Sequence, residues 1–252
     1  MKTLAVIPAR LGASRLPRKP LRLLAGLPLV VRVWQRVESM RIADRCVIAT
    51  DSDEVADAVR LHGAEALLTS PDHPSGTDRV AEVAARPEFR AFDAIVNVQG
   101  DEPFVTESSL RGAVNQVTSG NFPLGTAAAR APATILVQPS VVKVVAADDG
   151  RAMYFSRAAI PFLRDAAEAH LRDTRVWQHI GVYAYTRDAL ARWVSLPPHP
   201  LEQIERLEQL RPLAAGLAIG VALIDERPAV GVDTLDDLAR ANADWQDLNG
   251  RS

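Results

Sequence analysis

Before residue 105 the chain repeats one pattern several times: a short apolar run, a polar turn, then apolar residues at helical spacing. Thr3 to Ile7, Arg45 to Thr50, Ala64 to Thr69 and Asp93 to Val98 are the apolar runs. Each is short enough for a strand; the first reads as a buried one, and the fourth, by its content, as a strand buried on both faces. Helical patterns separate them, from Leu27 through Trp34, from Asp53 through Val59 and His62, and through Val80, Val83 and Ala84. Strands alternating with helices in this way predict an α/β, Rossmann-like, doubly wound and mostly parallel sheet. Ligands of such sheets bind at the carboxyl edge of the strands, so the residues just after each run are the first place to look for a site.

After the first run comes Pro8-Ala9-Arg10-Leu11-Gly12-Ala13-Ser14-Arg15-Leu16-Pro17-Arg18-Lys19-Pro20, with four cations among small residues. It contains neither G-x-G-x-x-G nor G-x-x-x-x-G-K-[ST], so neither a dinucleotide fingerprint nor a Walker loop accounts for it. Arg10, Ser14, Arg15 and Lys19, with backbone amides near a helix start, suit a polyphosphate. A solvated basic loop is the plainer reading, and Pro17, Pro20 and Gly12, which shape the segment, weigh against it. Overall charge does not explain the cluster either. The chain carries 29 basic and 31 acidic residues, for a net charge of −2, which gives no general attraction to nucleic acid or an anionic membrane. Only Lys2, Lys19 and Lys143 are lysines. Because a compact ammonium and a planar guanidinium are not interchangeable, Lys19 and Lys143 are singled out.

The fourth run ends in Gln99-Gly100-Asp101-Glu102-Pro103, and a later junction, Gly231-Val232-Asp233-Thr234, has a similar form. Either aspartate alone reads as a helix cap. Two at one sheet edge with an anion loop make a magnesium site, Asp101 and Asp233, in which carboxylates and substrate phosphates share the ion. His73 with Ser75-Gly76-Thr77-Asp78-Arg79 is either a capped helix start or a reader of base and ribose. The five histidines are scattered and Cys46 is the only cysteine, which excludes a disulfide framework and argues against zinc.

The second half changes character. Val141 to Val145 and Ala152 to Ser156 flank Asp148-Asp149-Gly150 and predict a hairpin. Pro161 to Trp177 reads as an insertion or mobile loop, His179 to Tyr185 and Leu217 to Ile224 as strands, and Thr234 as the start of a last helix. Leu201 to Arg211 is expected to form one helix with Leu201, Ile204, Leu207 and Leu210 on its apolar side. Glu208 then falls at the edge of that side, either as an ion pair with Arg211 or, beside Gln209, as a ligand group. With 48% hydrophobic residues and no repeats or clear linker, the expectation is one domain over 1–252 with a smaller β-rich lobe built mainly from about 125–200. No apolar run approaches the roughly 20 residues of a membrane span, and Met1 to Leu4 show no signal pattern, so a cytoplasmic location is expected.

Taken together, Ile7-Pro8-Ala9-Arg10, Ser14-Arg15-Leu16-Pro17, Lys19-Pro20-Leu21, Ala49-Thr50-Asp51, Ser75 to Arg79, Asn97 to Pro103, Val141 to Val145, Tyr154 to Ala158, Pro200-Leu201-Glu202, Leu207 to Arg211 and Gly231 to Thr234 resemble the 3-deoxy-manno-octulosonate cytidylyltransferases over nearly the whole chain. Arg18 departs from that pattern, standing where the family usually has a small residue, often glycine. The resemblance implies transfer of CMP from CTP to the anomeric hydroxyl of 3-deoxy-manno-octulosonate (KDO), for lipopolysaccharide synthesis, with magnesium as cofactor and a homodimer as the assembly. It implies Arg10, Arg15, Lys19 and Asp101 as catalytic residues. Pro8, Ala9, Arg10, Ser14, Arg15, Lys19, Ser75, Gly76, Arg79 and Gln99 would contact the nucleotide. Gln99, Arg157, His179, Tyr183, Glu208 and Gln209 would contact the sugar acid. Two alternatives stay open at this point: a cytidylyltransferase for another sugar acid, such as 8-amino-KDO or a sialic acid, and a nucleotide-sugar sensor without turnover.

Overall fold

A computed structural model describes residues 1–12, 16–226 and 231–249, with side chains through residue 245. The backbone groups into two compact units, residues 1–106 with 229–252 and residues 107–228.

In the first unit, β1 (Thr3–Ala9) lies between two parallel neighbours, β4 (Arg45–Thr50) and β6 (Ala94–Asn97). β4 pairs in turn with β5 (Glu65–Leu68), again in parallel. Leu4, Ala5, Val6 and Ile7 are fully buried, as a central strand of a parallel sheet requires. Between β1 and β4 the chain forms a small ribbon, β2 (Leu23–Leu24) with β3 (Leu27–Pro28), and then α1 (Leu29–Met40). The predicted helix start at Leu27 therefore shifts to Leu29. α2 (Asp53–Arg60) and α3 (Gly76–Ala85) follow β4 and β5, and each is capped by a serine. Ser52 Oγ accepts from Val55 N at 3.4 Å and Ser75 Oγ from Asp78 N at 3.3 Å, satisfying helix-end donors that have no partner within the helix.

The second unit begins with α4 (Glu107–Thr118) and β7 (Leu124–Arg130), followed by the hairpin β8 (Lys143–Ala146) and β9 (Ala152–Ser156), which pairs antiparallel as predicted. Then come α5 (Ala169–Asp173), within the segment expected to be irregular, β10 (Trp177–Thr186), α6 (Arg187–Ser195), α7 (Pro200–Glu205), α8 (Leu210–Ala214) and β11 (Ile219–Ile224). β7 runs antiparallel to β10 and parallel to β11, and β10 also pairs with β8. The chain then returns to the first unit as α9 (Leu235–Asn249). There Leu238, Ala241 and Trp245 pack with Leu16, Leu24, Leu29, Phe104 and Val232.

β7 carries no strand signal in the sequence, because Gly125 and Ala127 to Ala129 are poor strand formers. The helix packed against it explains their small size. A Cβ at Gly125 would lie 2.2 Å from the Ala113 carbonyl oxygen and 2.8 Å from Gln116 Cβ. Larger side chains on this strand would push α4 away.

The expected helix over 201–211 is broken. α7 ends at Arg206 in a left-handed conformation, φ 53°, and α8 starts at Leu210. Leu201 and Ile204 are exposed, and only Leu207 and Leu210 of the predicted apolar side are buried. Arg211 pairs with Glu202, at 2.5 and 2.7 Å, from within this broken segment. Among the described residues no helix is long and apolar enough to cross a membrane.

Candidate functional site

The first unit gathers the predicted nucleotide and metal residues. The short turn Lys19–Leu21 carries the Lys19 side chain to two carboxylates, with Nζ 2.5 Å from Asp101 Oδ2 and 2.8 Å from Asp233 Oδ1. Burial works against the ammonium charge, but the charges and hydrogen bonds of the two aspartates outweigh it and hold Lys19 above the ordinary lysine value. Asp101 is positioned by the end of β6 and Asp233 by the entry to α9, and these two segments are stitched by Val232 N donating to the Asp101 carbonyl at 2.9 Å. Glu102 joins the group. Desolvation, together with the negative charges of Asp101 and Asp233, pushes its carboxyl up to about 8, so that at neutral pH it is mainly protonated.

Two hard oxygen donors converging on one cationic point fit a divalent ion, with the ammonium marking where positive charge belongs. Among the described residues no group of three or more His, Cys, Asp and Glu could hold a metal by itself. That donor set suits an ion shared with substrate phosphates.

Pro8 and Ala9 end β1, and Arg10 follows them into solvent. Gly100 lies hard against this edge, since a Cβ there would sit 2.8 Å from the Pro8 carbonyl oxygen. At Gly76 a Cβ would be 3.3 Å from Pro8 Cγ and 3.9 Å from Gln99 Oε1. The structure thus brings Pro8, Gly76 and Gln99 together at the N-terminus of α3, beside its cap Ser75. Ser14 and Arg15 lie outside the described residues.

Arg79 is placed differently from the expectation. It is 3% exposed and donates to Asp51 Oδ2 at 2.9 Å, to the Ser70 carbonyl at 3.2 Å and to Thr69 Oγ1. Asp51 Oδ1 in turn accepts from Leu11 N at 3.4 Å. The guanidinium therefore ties the ends of β4 and β5 to the opening loop from inside the protein. His73 is likewise engaged, with Nε2 2.6 Å from Glu82 Oε2. Desolvation favours the neutral form of Glu82, yet hydrogen bonds from Arg86, Ser70 N and His73 hold its carboxyl down at about 2. Its folded-state pKa lies below the unfolded one, so its stabilising contribution is complete above about pH 4.5 and is lost as pH falls toward 2. In urea unfolding, the stability gap between the native chain and Glu82→Gln should be wide at pH 7 and narrow steadily on acidification. A gap that does not change with pH would remove this role.

Arg18 occupies a left-handed position, φ 58°, at the start of the Lys19–Leu21 turn, and its guanidinium pairs with the exposed Glu54. A residue with a Cβ is strained there, and glycine would not be. Since an exposed ion pair contributes little, Arg18→Gly should raise stability by about 0.5–1 kcal/mol, read as a shift of the urea midpoint.

The second unit gathers the predicted sugar residues His179, Tyr183, Glu208 and Gln209. Four residues of regular strand would separate His179 and Tyr183 by roughly 13 Å. A bulge in β10 between Ile180 and Tyr183 brings their ring centroids to 5.5 Å. His179 stands edge-on to Phe155 at 5.0 Å. Its Nε2 is 3.0 Å from Thr126 Oγ1, and that hydroxyl also contacts the Val182 carbonyl at 2.8 Å. A carbonyl can only accept, so the threonine proton goes to Val182 and the imidazole donates through Nε2, leaving Nδ1 as an acceptor. Desolvation pushes His179 down to about 3, which keeps the ring neutral. Tyr183 Oη is buried with no hydrogen-bond partner among the described residues. Burial, then Tyr185 and Glu208, hold its phenol well above the usual value. Gln209 is buried and Glu208 exposed, both in the irregular link between α7 and α8. Arg157, the cation expected for the sugar carboxylate, directs its guanidinium to the backbone carbonyls of Glu205, Pro139 and Arg206 instead. Sequence reading missed Glu205 and Asp51, whose partners lie 48 and 28 residues away.

Comparison with known proteins identifies the family. The family profile described as cytidylyltransferase matches residues 4–219. A 3-deoxy-manno-octulosonate cytidylyltransferase of Gemmatimonas aurantiaca is 63% identical over 249 residues, 99% of this chain and 96% of the relative. One from Polynucleobacter asymbioticus is 47% identical over 243 residues, 94% and 93% of the two chains. A solved CMP:2-keto-3-deoxy-manno-octonic acid synthetase complexed with CTP superposes with a TM-score of 0.91 at 36% identity, covering 98% of this chain and 100% of the other. A profile spanning most of the chain and two near full-length relatives of one kind place this chain in the cytidylyltransferase family, in its 3-deoxy-manno-octulosonate branch.

Proposed function

We propose that this chain is a magnesium-dependent cytidylyltransferase that transfers CMP from CTP to the anomeric hydroxyl of KDO, giving CMP-KDO and pyrophosphate. The observation that carries the reading is the convergence of Asp101 and Asp233 on the Lys19 ammonium. The hydroxyl oxygen forms a bond to the α-phosphorus while the bond to the β-phosphate oxygen breaks. The protein's task is to hold the reactants and to offset the charge that gathers on the leaving pyrophosphate. Lys19 and Arg10 supply positive charge to the triphosphate, as does Arg15 by resemblance, together with Ser14. Pro8, Ala9, Ser75, Gly76 and Gln99 address the cytidine. Magnesium held by Asp101 and Asp233 would neutralise phosphate oxygens and polarise the reacting groups.

In the second unit the neutral His179, the unsatisfied Tyr183 hydroxyl, Glu208 and Gln209 offer acceptors and donors for sugar hydroxyls. A buried hydroxyl with no partner is the kind of group that a ligand hydroxyl satisfies. A homodimer belongs to the same reading, supported by the exposed Val137, Met153 and Leu223 of this unit. Sedimentation velocity tests it.

The decisive experiment is pyrophosphate release from CTP with magnesium and a panel of acceptors. Release with KDO alone supports the proposal. Release only with 8-amino-KDO or a sialic acid moves the acceptor, and CTP binding by calorimetry with no turnover on any acceptor makes the chain a sensor.

A further inference from the structure

Three segments of the second unit meet in a knot of charge-assisted hydrogen bonds that the reaction does not use directly. Glu205, the last residue of α7, accepts from Ser156 Oγ at 2.6 Å through Oε1 and from Arg157 N at 2.9 Å through Oε2. Arg157 returns the contact, with Nε donating to the Glu205 carbonyl at 2.8 Å and Nη2 to the Arg206 carbonyl at 3.4 Å, while Nη1 reaches the Pro139 carbonyl at 3.0 Å. The Arg157 carbonyl accepts from Lys143 Nζ at 2.5 Å. The same ammonium donates to Gln138 O at 3.1 Å and Val141 O at 2.8 Å, and the Lys143 side chain is fully buried.

Each part has a physical reason. α7 stops at the left-handed Arg206, which leaves carbonyls at a helix end without helical donors. A guanidinium supplies those donors in a fixed planar fork, and its charge suits the negative end of a helix. The buried lysine gathers three further carbonyls, those of Gln138 and Val141 before β8 and of Arg157 just after β9, and finds in them the acceptors that a buried ammonium needs. The outcome is that the turn carrying Glu208 and Gln209, two and three residues beyond Arg206, is tied to the β8–β9 hairpin at a set distance.

We infer that Lys143, Arg157 and Glu205 form a positioning unit that sets where Glu208 and Gln209 stand for the acceptor, and that Arg157 does not itself read the acceptor carboxylate. The inference rests on the acceptor role proposed above for Glu208 and Gln209.

The test uses full-length Glu205→Ala, Glu205→Gln, Arg157→Lys, Arg157→Ala and Lys143→Met, with KM for KDO and for CTP measured separately by pyrophosphate release. Glu205→Ala and Arg157→Lys should each raise KM for KDO by about tenfold or more and leave KM for CTP within about twofold. Glu205→Gln, which keeps one acceptor oxygen, should fall between them and the native chain. If Arg157→Lys keeps the native KM for KDO while Arg157→Ala loses it and Glu205→Ala has no effect, Arg157 reads the carboxylate and the inference is overturned. It is also overturned if KM for CTP rises in parallel. Hydrogen exchange gives a readout that does not depend on the acceptor: amides of 205–210 should exchange faster in Glu205→Gln and Arg157→Lys, with residues 1–106 unchanged. Unchanged exchange at 205–210 overturns the inference even where Lys143→Met fails to fold. A native chain that does not turn over KDO refutes the proposed acceptor alone, and the exchange result still decides the positioning unit.

Discussion

Asp101→Asn is expected to lower kcat by about two to three orders of magnitude, equivalent to roughly 3–4 kcal/mol of lost transition-state stabilisation. The substitution keeps the size and shape of the side chain, so the turn after β6 and the Val232 to Asp101 backbone bond should survive. What changes is charge. Asp101 is one of only two carboxylates in contact with Lys19 among the described residues, and an amide is a poor ligand for magnesium by comparison. Pyrophosphate release at saturating CTP and KDO measures the effect. A second readout is independent of turnover: the thermal stabilisation that magnesium adds in the presence of CTP should be lost in the variant. A kcat within threefold of the native value, with that stabilisation intact, would exclude Asp101 from the site.

Lys19→Met is expected to reduce kcat/KM for CTP by about a thousandfold while keeping the bulk of the side chain. Two effects combine. The triphosphate loses a point charge, and Asp101 and Asp233 lose the cation that offsets their mutual repulsion. With the ammonium gone, the field at Glu102 becomes more negative, so its carboxyl should titrate above the value of about 8 it has beside Lys19. On the proposed reading, in which the acceptor is held mainly by residues of the second unit, KM for KDO should change little. Steady-state kinetics with each substrate varied in turn will show the split. Unchanged use of CTP would remove Lys19 from the catalytic group.

The parallel sheet of the first unit is legible in the sequence because three of its strands, β1, β4 and β6, are buried on both faces. Leu4 to Ile7, Val47 to Ala49 and Ala94 to Val96 are continuous apolar runs that no exposed element would carry. β7 is hidden by its own packing, since a strand made of glycine and alanine keeps its identity only in the presence of α4. The Leu201–Arg211 pattern misleads for a related reason. Its spacing is helical, yet a non-glycine residue, Arg206, takes the left-handed position, supported by an arginine 49 residues away. Charge type singles out Lys19, Asp101 and Asp233, whose side chains meet in the structure. Charge type alone cannot separate cations that face a ligand from cations that face carbonyls. Arg79 and Arg157 look like ligand residues in sequence, and the burial of Arg79 and the distant partners of both are not written there.

Lys19 also makes the resting site self-neutralising: the carboxylates are held by a counter-ion that belongs to the chain. On the proposed reading Asp101 and Asp233 would hold magnesium when substrate is bound, and the Lys19 ammonium would then pair with the triphosphate instead of with the carboxylates. A lone triphosphate would meet two uncompensated aspartates, and a lone magnesium ion would have to displace a tethered competitor. The arrangement favours the two arriving as one partly neutralised pair, so binding of metal and nucleotide should be positively coupled.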